Sequence, residues 1–417
     1  MAGEWRKATF QQLIDDRLLE IGDGYRAQNS ELGGTGPIFL RAGHVTDSHI
    51  DFTGIERFHE HLVEKVRSKM SKVGDTIITT KGNSTGRTSF VTDRLPPFVY
   101  SPHLSYWRSR DPKALCGGFL RYWSQGVEFI EQLSGMKAST DMAPYLSLTD
   151  QRRLSITLPP LPEQKAIAAV LGALDDKIEL NRRCSATLEA MARALFQSWF
   201  VDFDPVRAKL DGRKPTGIDP DTAALFPAAF QDSPLGPIPQ GWRLAHLEEI
   251  ASVGSGKRPE SRFDVLSPVC NVPLYGGGGR MGYVPSALYE TPILFTGRVG
   301  TLGLIFRTAE PSWPSDNTLI IEPQTGFFDF TYFVLKQFDL ITLNRGSTQP
   351  LLTQSDLKRQ EFVLPSNDVV KAFAAVSAPI FRQMVSNDRE SRTLATLRDT
   401  LLPKLLSGEL RVEGESQ

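Results

Sequence analysis

Two stretches of the chain decide its fold: PYLSLTDQRRLSITLP at Pro144–Pro159 and PLLTQSDLKRQEFVLP at Pro350–Pro365. They align without a gap at an offset of 206 residues, so that Asp150 falls on Asp356. The same offset continues downstream and places Asn181 on Asn387, Leu188 on Leu394, and Leu195 on Leu401. Because one period is about half of the 417 residues, the pattern indicates a two-fold duplication and not a solenoid.

Upstream of these stretches the two halves are less alike. Glu4-Trp5-Arg6 resembles Gly241-Trp242-Arg243, and Asp75–Thr80 resembles Glu290–Thr296. Each half begins with a mixed segment of short apolar runs and Gly/Pro turns, and a long helical segment follows at about 163–201 or 367–406. The short runs predict strands at Thr76–Thr80, Ser89–Thr92, Ile293–Thr296, Leu302–Phe306 and Thr318–Ile321.

The helical segments carry apolar residues at alternating spacings of four and three, which is typical of a coiled-coil seam. The alternative is two unrelated surface helices on separate cores. An Asn-x-x-x-Ser step that both seams share near the middle favours paired helices over that alternative. The predicted pairing residues are Ile167, Leu171, Leu174, Ile178, Asn181, Ser185, Leu188 and Leu195 in the first helix, and Phe373, Ile380, Met384, Asn387, Ser391, Leu394 and Leu401 in the second.

Composition excludes several classes of protein. Hydrophobic residues make up 40% and charged residues 23%, which excludes a disordered or collagen-like chain. No run approaches a membrane span and the start lacks a signal-peptide pattern, so we expect a cytoplasmic protein. The distant cysteines Cys116, Cys184 and Cys270 exclude a disulfide framework. The net charge of −1 means that any case for nucleic-acid binding rests on local charge.

The sequence contains no convincing catalytic, nucleotide or metal site. Gly254-Ser-Gly-Lys257 lacks the residues that complete a Walker phosphate loop, since Ala251 and Arg258 stand at those positions. Leu95-Pro-Pro-Phe98 resembles an amino-methyltransferase motif, but leucine cannot hydrogen-bond a target amino group. His59-Glu-His61 is not a zinc-binding helix motif.

Local charge favours DNA instead. From Lys65 to Arg121 there are 11 Lys and Arg residues against 3 acidic ones, and from Lys257 to Arg307 the balance is 6 to 3. Basic side chains bind phosphates, and amides and hydroxyls read base edges. A duplicated chain also mimics a homodimer, which suits the approximate two-fold symmetry of duplex DNA. The candidate DNA contacts are Lys69, Lys72, Lys81, Asn83, Ser84, Thr85, Arg87 and Arg108 in the first half, and Lys257, Arg258, Tyr275, Arg280 and Arg298 in the second.

Four stretches resemble one protein family. LPPLPEQKAIAAVLGALDDKIELNRR at Leu158–Arg183, SWFVDFDPVRAK at Ser198–Lys209 and LGPIPQGW at Leu235–Trp242 strongly resemble the central conserved region of type I restriction–modification specificity subunits, the HsdS family. LRDTLLPKLLSGELRV at Leu397–Val412 resembles that family's distal conserved region. The resemblance covers essentially the whole chain and is weak in the variable segments.

The resemblance implies an α+β fold with two similar mixed α/β target recognition domains, separated by two long antiparallel coiled-coil helices. The implied segments are recognition domain 1 at 1–158, the central helix at 159–201, a Pro/Gly-rich connector at 202–241, recognition domain 2 at 242–365, and the distal helix and tail at 366–417. If the helices are related by a two-fold axis level with Cys184 and Arg389, Asn181 approaches Ser391 and Asn387 approaches Ser185. Such a polar layer costs stability but fixes the register.

The resemblance also implies a function. The chain would be a non-catalytic DNA-specificity subunit, in which each recognition domain reads one half of a bipartite double-stranded target and the helices set the spacer. Two methyltransferase subunits and the translocating endonuclease subunits would be its partners, and they would hold S-adenosylmethionine, ATP and magnesium. Two alternatives stay open: a stand-alone pseudo-dimeric DNA-binding regulator, and an enzyme with an unrecognised site at 275–303. Neither explains the repeated heptads.

Overall fold

The computed structural model describes residues 4–46, 49–138, 145–346 and 349–412 of the chain. Pro144, with which the first repeated stretch begins, and the tail 413–417 lie outside the described residues. Contacts within the chain divide it into two compact units. Unit 1 comprises Met1–Leu180 with Glu390–Gln417, and unit 2 comprises Asn181–Arg389. The boundaries fall inside the two long helices, so each helix contributes one part to each unit.

Unit 1 contains a four-stranded antiparallel sheet in the order β2-β7-β4-β5, an antiparallel pair β1-β8 and a parallel pair β3-β6. Its strands are β1 (Arg6–Thr9), β2 (Leu19–Asp23), β3 (Ile38–Leu40), β4 (Thr76–Thr79), β5 (Thr88–Phe90), β6 (Phe98–Tyr100), β7 (Leu104–Ser109) and β8 (Ser155–Leu158). Its shorter helices are α1 (Phe10–Asp15), α2 (Val63–Val66), α3 (Gly117–Trp123), α4 (Val127–Ala138) and α5 (Leu148–Arg153). The first long helix, α6 (Leu161–Phe200), begins in this unit.

Unit 2 repeats this plan with a four-stranded antiparallel sheet in the order β12-β18-β15-β16. Its strands are β9 (Phe230–Gln231), β10 (Ile238–Pro239), β11 (Arg243–His246), β12 (Ala251–Ser255), β13 (Val272–Gly276), β14 (Gly279–Val284), β15 (Leu294–Gly297), β16 (Ile305–Arg307), β17 (Trp313–Pro314), β18 (Thr318–Pro323) and β19 (Glu361–Leu364). Its helices are α7 (Asp204–Leu210), α8 (Pro220–Ala224), α9 (Phe328–Gln337), α10 (Gln354–Lys358) and the start of the second long helix, α11 (Asn367–Ser407).

The predicted duplication is confirmed by strand pairing. Arg6 of β1 pairs with Leu158 of β8, and Arg243 of β11 pairs with Leu364 of β19, so the two halves open in the same way. The equivalent sheets add β2 to β7 and β12 to β18 at one edge, and β5 to β4 and β16 to β15 at the other.

The repeated stretch owes its similarity to a shared helix cap. The hydroxyl of Ser147 accepts a hydrogen bond from the backbone N–H of Asp150 at the start of α5. Thr353 and Asp356 make the same contact at the start of α10. A hydroxyl at the N-cap satisfies an N–H group that the first turn of a helix leaves unpaired. The shared letters therefore encode the same local structure in both units.

Within each unit the long helices pair antiparallel. In unit 1, Arg398 of α11 contacts Asp175 of α6, and Glu390 lies opposite Lys177. In unit 2, Asn387 contacts Ser185. Phe373, near the start of α11, packs against Phe196 and Trp199 near the end of α6. The predicted pairing residues are all buried or half-buried.

One of the two contacts of the predicted polar layer, that between Asn387 and Ser185, is present within unit 2. The Asn387 side-chain amide donates to Ser185 Oγ at 3.2 Å, and the Asn181 amide donates to the Asn387 carbonyl at 3.4 Å. Both asparagines are buried: the exposed fraction is 3% for Asn181 and 6% for Asn387. Buried amides without partners are costly, so these contacts favour one register of the helix pair.

The connector at 202–241 is ordered and packs into unit 2. It forms α7, α8 and the β9-β10 hairpin, and its apolar side chains Phe203, Val206 and Phe226 join the core that holds Trp199 and Trp242. Two of the predicted strands start late or end early by more than one residue: β16 begins at Ile305 and not at Leu302, and β5 ends at Phe90 and not at Thr92. Gly303, with φ of 88°, lies in the loop before β16.

Candidate nucleic-acid interface

One end of the sheet in unit 1 gathers most of the predicted DNA contacts. Asp23, at the end of β2, pairs with Ser105 near the start of β7, and Thr79, at the end of β4, pairs with Leu104. The segments that leave these strand ends are 24–26, 80–87 and 101–103, and we call this edge the loop end of unit 1. Lys81, Asn83, Ser84, Thr85 and Arg87 lie on its β4-β5 hairpin.

The hairpin backbone is held in a defined shape. The Thr79 hydroxyl accepts a hydrogen bond from the Arg87 N–H at 3.0 Å, and the Thr85 hydroxyl donates to the Gly82 carbonyl at 2.7 Å. Gly82 and Gly86 both have positive φ, 84° and 92°, which favours glycine there. Lys81 and Asn83 remain exposed, whereas Arg87 is half-buried and donates to the Val45 carbonyl at 3.0 Å. Two polar side chains are therefore presented by a fixed hairpin.

Unit 2 has an equivalent loop end. Gly297, at the end of β15, pairs with Thr318 at the start of β18, as Thr79 pairs with Leu104 in unit 1. The Arg298 N–H donates to the Asn317 carbonyl at 2.8 Å, and the Lys257 N–H donates to the Pro314 carbonyl at 3.1 Å. Both residues therefore lie beside the segment that enters β18.

The glycine-rich turn after β13 reaches the same loop end. A Cβ atom added to Gly277 would lie 3.0 Å from the Cα atom of Gly297, so the turn packs directly against the loop after β15. Tyr275 lies in β13, with its carbonyl accepting from the Ser315 N–H at 2.8 Å, and Arg280 lies in β14 with its side chain exposed. The structure thus brings all five predicted contacts of this half together: Lys257, Arg258, Tyr275, Arg280 and Arg298.

Four predicted contacts lie elsewhere or are already engaged. Thr85 is 4% exposed, and its hydroxyl is hydrogen-bonded within the hairpin. The Lys69 ammonium binds the carboxylate of Asp23 at 2.6 Å, so its charge is neutralised within the protein. Lys72 is exposed, but it lies before the start of β4, whereas the loop end lies after the end of β4. Arg108 is 9% exposed and faces Asp75. We do not carry these residues into the proposed interface.

Arg108 belongs to a buried ionic cluster under the sheet. Its Nε and Nη2 atoms donate to the two oxygens of Asp75 at 2.6 and 2.7 Å, and the Tyr100 hydroxyl donates to the same carboxylate at 2.7 Å. Burial by itself lowers the pKa of Arg108, but the hydrogen bonds and charge of Asp75 raise it above the ordinary value. Burial, and then the neighbouring Asp75 charge, raise the pKa of Tyr100. These groups stabilise unit 1.

Sequence reasoning missed one exposed arginine at the loop end of unit 1. Arg26 follows Gly24 and Tyr25, and the Tyr25 N–H donates to the Tyr100 carbonyl at 2.7 Å. The segment beyond it is fixed by Glu31, which accepts from the Lys65 ammonium at 2.7 Å and the Tyr25 hydroxyl at 2.8 Å. The Lys65 hydrogen bond, before any other contact, lowers the pKa of Glu31 to about 2. Arg26 lies outside the charge-rich stretch 65–121, so local charge did not mark it.

Within the described ranges of the chain, no cluster of three or more His, Cys, Asp or Glu side chains is arranged to hold a metal ion. In the same residues, no helix is long and apolar enough to cross a membrane.

Comparison with known proteins identifies the family to which the chain belongs. A family described as "Type I restriction modification DNA specificity domain" matches residues 30–190 and 239–372, which together exceed half of the chain. The chain therefore belongs to the family of type I restriction–modification specificity subunits.

Individual relatives support the assignment. The chain is 26% identical over 411 residues to the specificity subunit of the type I restriction enzyme HindI from Haemophilus influenzae, covering 82% of this chain and 88% of that protein. It is 26% identical over 310 residues to the MjaIX specificity subunit from Methanocaldococcus jannaschii, covering 69% of this chain and 66% of that protein. The crystal structure of an S subunit from M. genitalium has the same fold, with a TM-score of 0.57, 19% identity and 96% coverage of both chains.

Proposed function

We propose that this chain is the non-catalytic DNA-recognition subunit of a type I restriction–modification complex, and that each unit reads one half of a bipartite double-stranded target. The observation that carries the proposal is the pair of equivalent loop ends. Each is built on the same strand order, and each presents exposed cations and hydroxyl or amide groups that differ between the units. Equal scaffolds with different loops suit two different half-sites.

The chemistry of the loops fits the two tasks of DNA binding. Lys81, Lys257 and Arg298 are exposed cations that can bind phosphates, while Asn83 and Arg280 offer donors that match base edges. In unit 2 the turn at Gly276–Gly279 brings backbone N–H groups to the surface without side chains, which allows close approach of a phosphate. An interface of this kind gains much of its affinity from released counterions.

The long helices are proposed to set the spacer and to bind the methyltransferase subunits. The support for a spacer role is that α6 and α11, of 40 and 41 residues, each extend from one unit into the other. The polar layer at Asn387 and Ser185 would fix their register. The methyl donor S-adenosylmethionine, ATP and magnesium are proposed to belong to the methyltransferase and endonuclease subunits, and the complex to act in the cytoplasm.

The proposal is tested by reconstitution. The purified chain alone should bind duplex DNA without methyltransferase, nuclease or ATPase activity, and adding methyltransferase subunits should give adenine methylation at one split sequence. Sequencing of modified adenines in DNA treated with the complex supplies the readout. Methylation by the pure chain with S-adenosylmethionine would contradict the non-catalytic role. Specific DNA binding with no effect of methyltransferase subunits would favour a stand-alone regulator.

A further inference from the structure

Arg26 and Arg258 occupy the same place in the two units, although the sequence repeat does not align them. In the sheets, Leu19 pairs with Ser109 and Ala251 pairs with Pro323, and the registers continue to Asp23 and Ser255 at the strand ends. Three residues beyond those strand ends stand Arg26 and Arg258.

The backbone before each arginine is pinned in the same way. A Cβ atom on Gly24 would lie 2.0 Å from the Ser101 carbonyl oxygen, and one on Gly256 would lie 2.1 Å from the Ser315 carbonyl oxygen. No side chain fits at such distances, so both positions need glycine. The following N–H groups, of Tyr25 and Lys257, donate to equivalent carbonyls at 2.7 and 3.1 Å. The Cα positions of the two arginines are therefore set by the sheet.

Both guanidinium groups are available to a ligand. Arg26 and Arg258 are exposed, and within the described part of the chain neither side chain makes a hydrogen bond or an ion pair. The acidic residue nearest to Arg26 in the chain, Asp23, is neutralised by Lys69 at 2.6 Å. In unit 2 its place is taken by Ser255, whose hydroxyl accepts from Gln354 at 2.9 Å.

The surrounding loops differ, and that contrast indicates what the arginines bind. The β4-β5 hairpin of unit 1 carries Lys81 and Asn83, whereas unit 2 has Val299 at the position of Lys81 and Arg298 at that of Thr80. Groups that read different half-sites must differ between the units, while the phosphate backbone is the same on both. A fixed arginine retained beside divergent loops suits the shared ligand.

We propose that Arg26 and Arg258 are paired phosphate contacts that position each recognition unit on the duplex and read no base. The inference rests on the proposed DNA-binding function. A guanidinium binds phosphate through two parallel hydrogen bonds, whereas a lysine at the same place supplies the charge without that pair of bonds. The expected signature is a loss of affinity without a change of target sequence.

The test uses the full chain with its methyltransferase subunits and a duplex that carries the target found from modified adenines. Arg26→Ala and Arg258→Ala should each weaken binding by about tenfold, the size of one lost hydrogen bond to a charged group. Each should also lower the magnitude of the salt slope by about 0.9. Arg26→Lys and Arg258→Lys should restore the salt slope, which follows the charge, but only part of the affinity, because an ammonium cannot make both hydrogen bonds. The modified sequence should be unchanged in all four variants.

Two matched controls come from the opposite end of each unit. Arg153, at the end of α5, and Arg359, just after α10, are exposed arginines far from the strand ends that carry the loops. Arg153→Ala and Arg359→Ala should bind as the unaltered chain does. Circular dichroism of every variant verifies that the fold is kept.

Two results would overturn the inference alone: alanine variants with unchanged affinity and salt slope, or an alanine variant that changes which bases are modified. The second result would make the arginine a base reader. If the unaltered complex binds no split target at all, the proposed function fails and this inference fails with it.

Discussion

The two units fasten the edge of the sheet to the long helices with different chemistry. In unit 1, Arg121 of α3 lies 5.2 Å from the ring of Phe90 on the edge strand and pairs with Asp175 of α6. In unit 2 the edge strand supplies the cation: Arg307 lies 3.4 Å from the ring of Phe381 on α11 and pairs with Asp329 of α9 at 3.1 Å.

Strand register and the sequence offset show that these residues have exchanged roles. Phe90 pairs with Thr76, and Arg307 pairs with Leu294, at the same position of the edge strand. Asp175 and Phe381 are separated by the repeat offset of 206 residues. Both units place an arginine over an aromatic ring and beside a carboxylate. The helix or strand that supplies each of these three groups differs between the units. In both units the largely buried arginine is therefore paired with a carboxylate, as a buried charge requires.

The same contrast holds at the end of each sheet that lies opposite its loop end. Asp75 and Arg108 form a buried ion pair in unit 1, and Ile293 and Glu322 occupy the equivalent positions in unit 2. The duplicated sheets thus share backbone geometry and differ in the side chains that stabilise them.

The largest expected effect is the loss of the Asp75 carboxylate. Asp75→Ala leaves Arg108 buried without its charge partner, which should cost about 3–5 kcal/mol of unfolding free energy. Urea denaturation measures the loss, and hydrogen exchange should place it in 19–110 and not in 251–323. The control is Asp16→Ala, which removes an exposed ion pair with Arg6 and should cost less than about 1 kcal/mol. An equal loss of unfolding free energy in both variants would show that the buried ionic cluster does not stabilise unit 1.

A second prediction concerns the helices that both units share. Four residues inserted near both Ser185 and Ser391 lengthen each helix by about 6 Å, which is close to two base pairs along one strand. The spacer of the modified sequence should grow while both half-sites stay the same. A seven-residue insertion keeps the heptad phase and serves as a second variant.

The matched control for the insertions lies in the connector. Four residues inserted after Lys214, in an exposed turn between α7 and α8, should leave the spacer unchanged. If folded variants with helix insertions modify sequences with the original spacer, the helices do not set the spacer length.

The smallest effect is expected at the hairpin of unit 1. Lys81→Ala and Arg87→Ala should weaken DNA binding, and each lost phosphate contact should lower the magnitude of the salt slope by about 0.9. Titration of a target duplex at several salt concentrations gives both quantities. Lys113→Ala, an exposed lysine beyond the other end of β7, is the control. Wild-type affinity and slope in both variants would show that neither Lys81 nor Arg87 contacts DNA.

The part of the fold that sequence predicted well is the part with a periodic signal. The seams of α6 and α11 follow a seven-residue repeat, which appears directly in the letters. The caps at Ser147 and Thr353 appeared only as matched letters, and the structure showed that those letters encode helix caps. The equivalence of Arg26 and Arg258 does not appear in the letters. The segments between β2 and β7 in unit 1 and between β12 and β18 in unit 2 differ in length, so the repeat offset does not align the two arginines. Only strand register reveals it.

The candidate contacts show the same limit. Charge counting found Lys81 and Arg298, but it also selected Lys69 and Arg108, whose charges are paired within the protein. Composition does not distinguish a cation that faces solvent from one that neutralises a carboxylate, since both raise the local count. Arg26 was missed for the converse reason, because few other cations lie near it in sequence.

The central claim is that each unit reads its own half of the target. Replacing 242–365 by the corresponding segment of a relative, and sequencing the modified adenines made by the hybrid complex, tests it directly. The account predicts that one half of the modified sequence changes, while the other half and the spacer stay as they were. A hybrid that is folded and active but alters both halves together would contradict the claim.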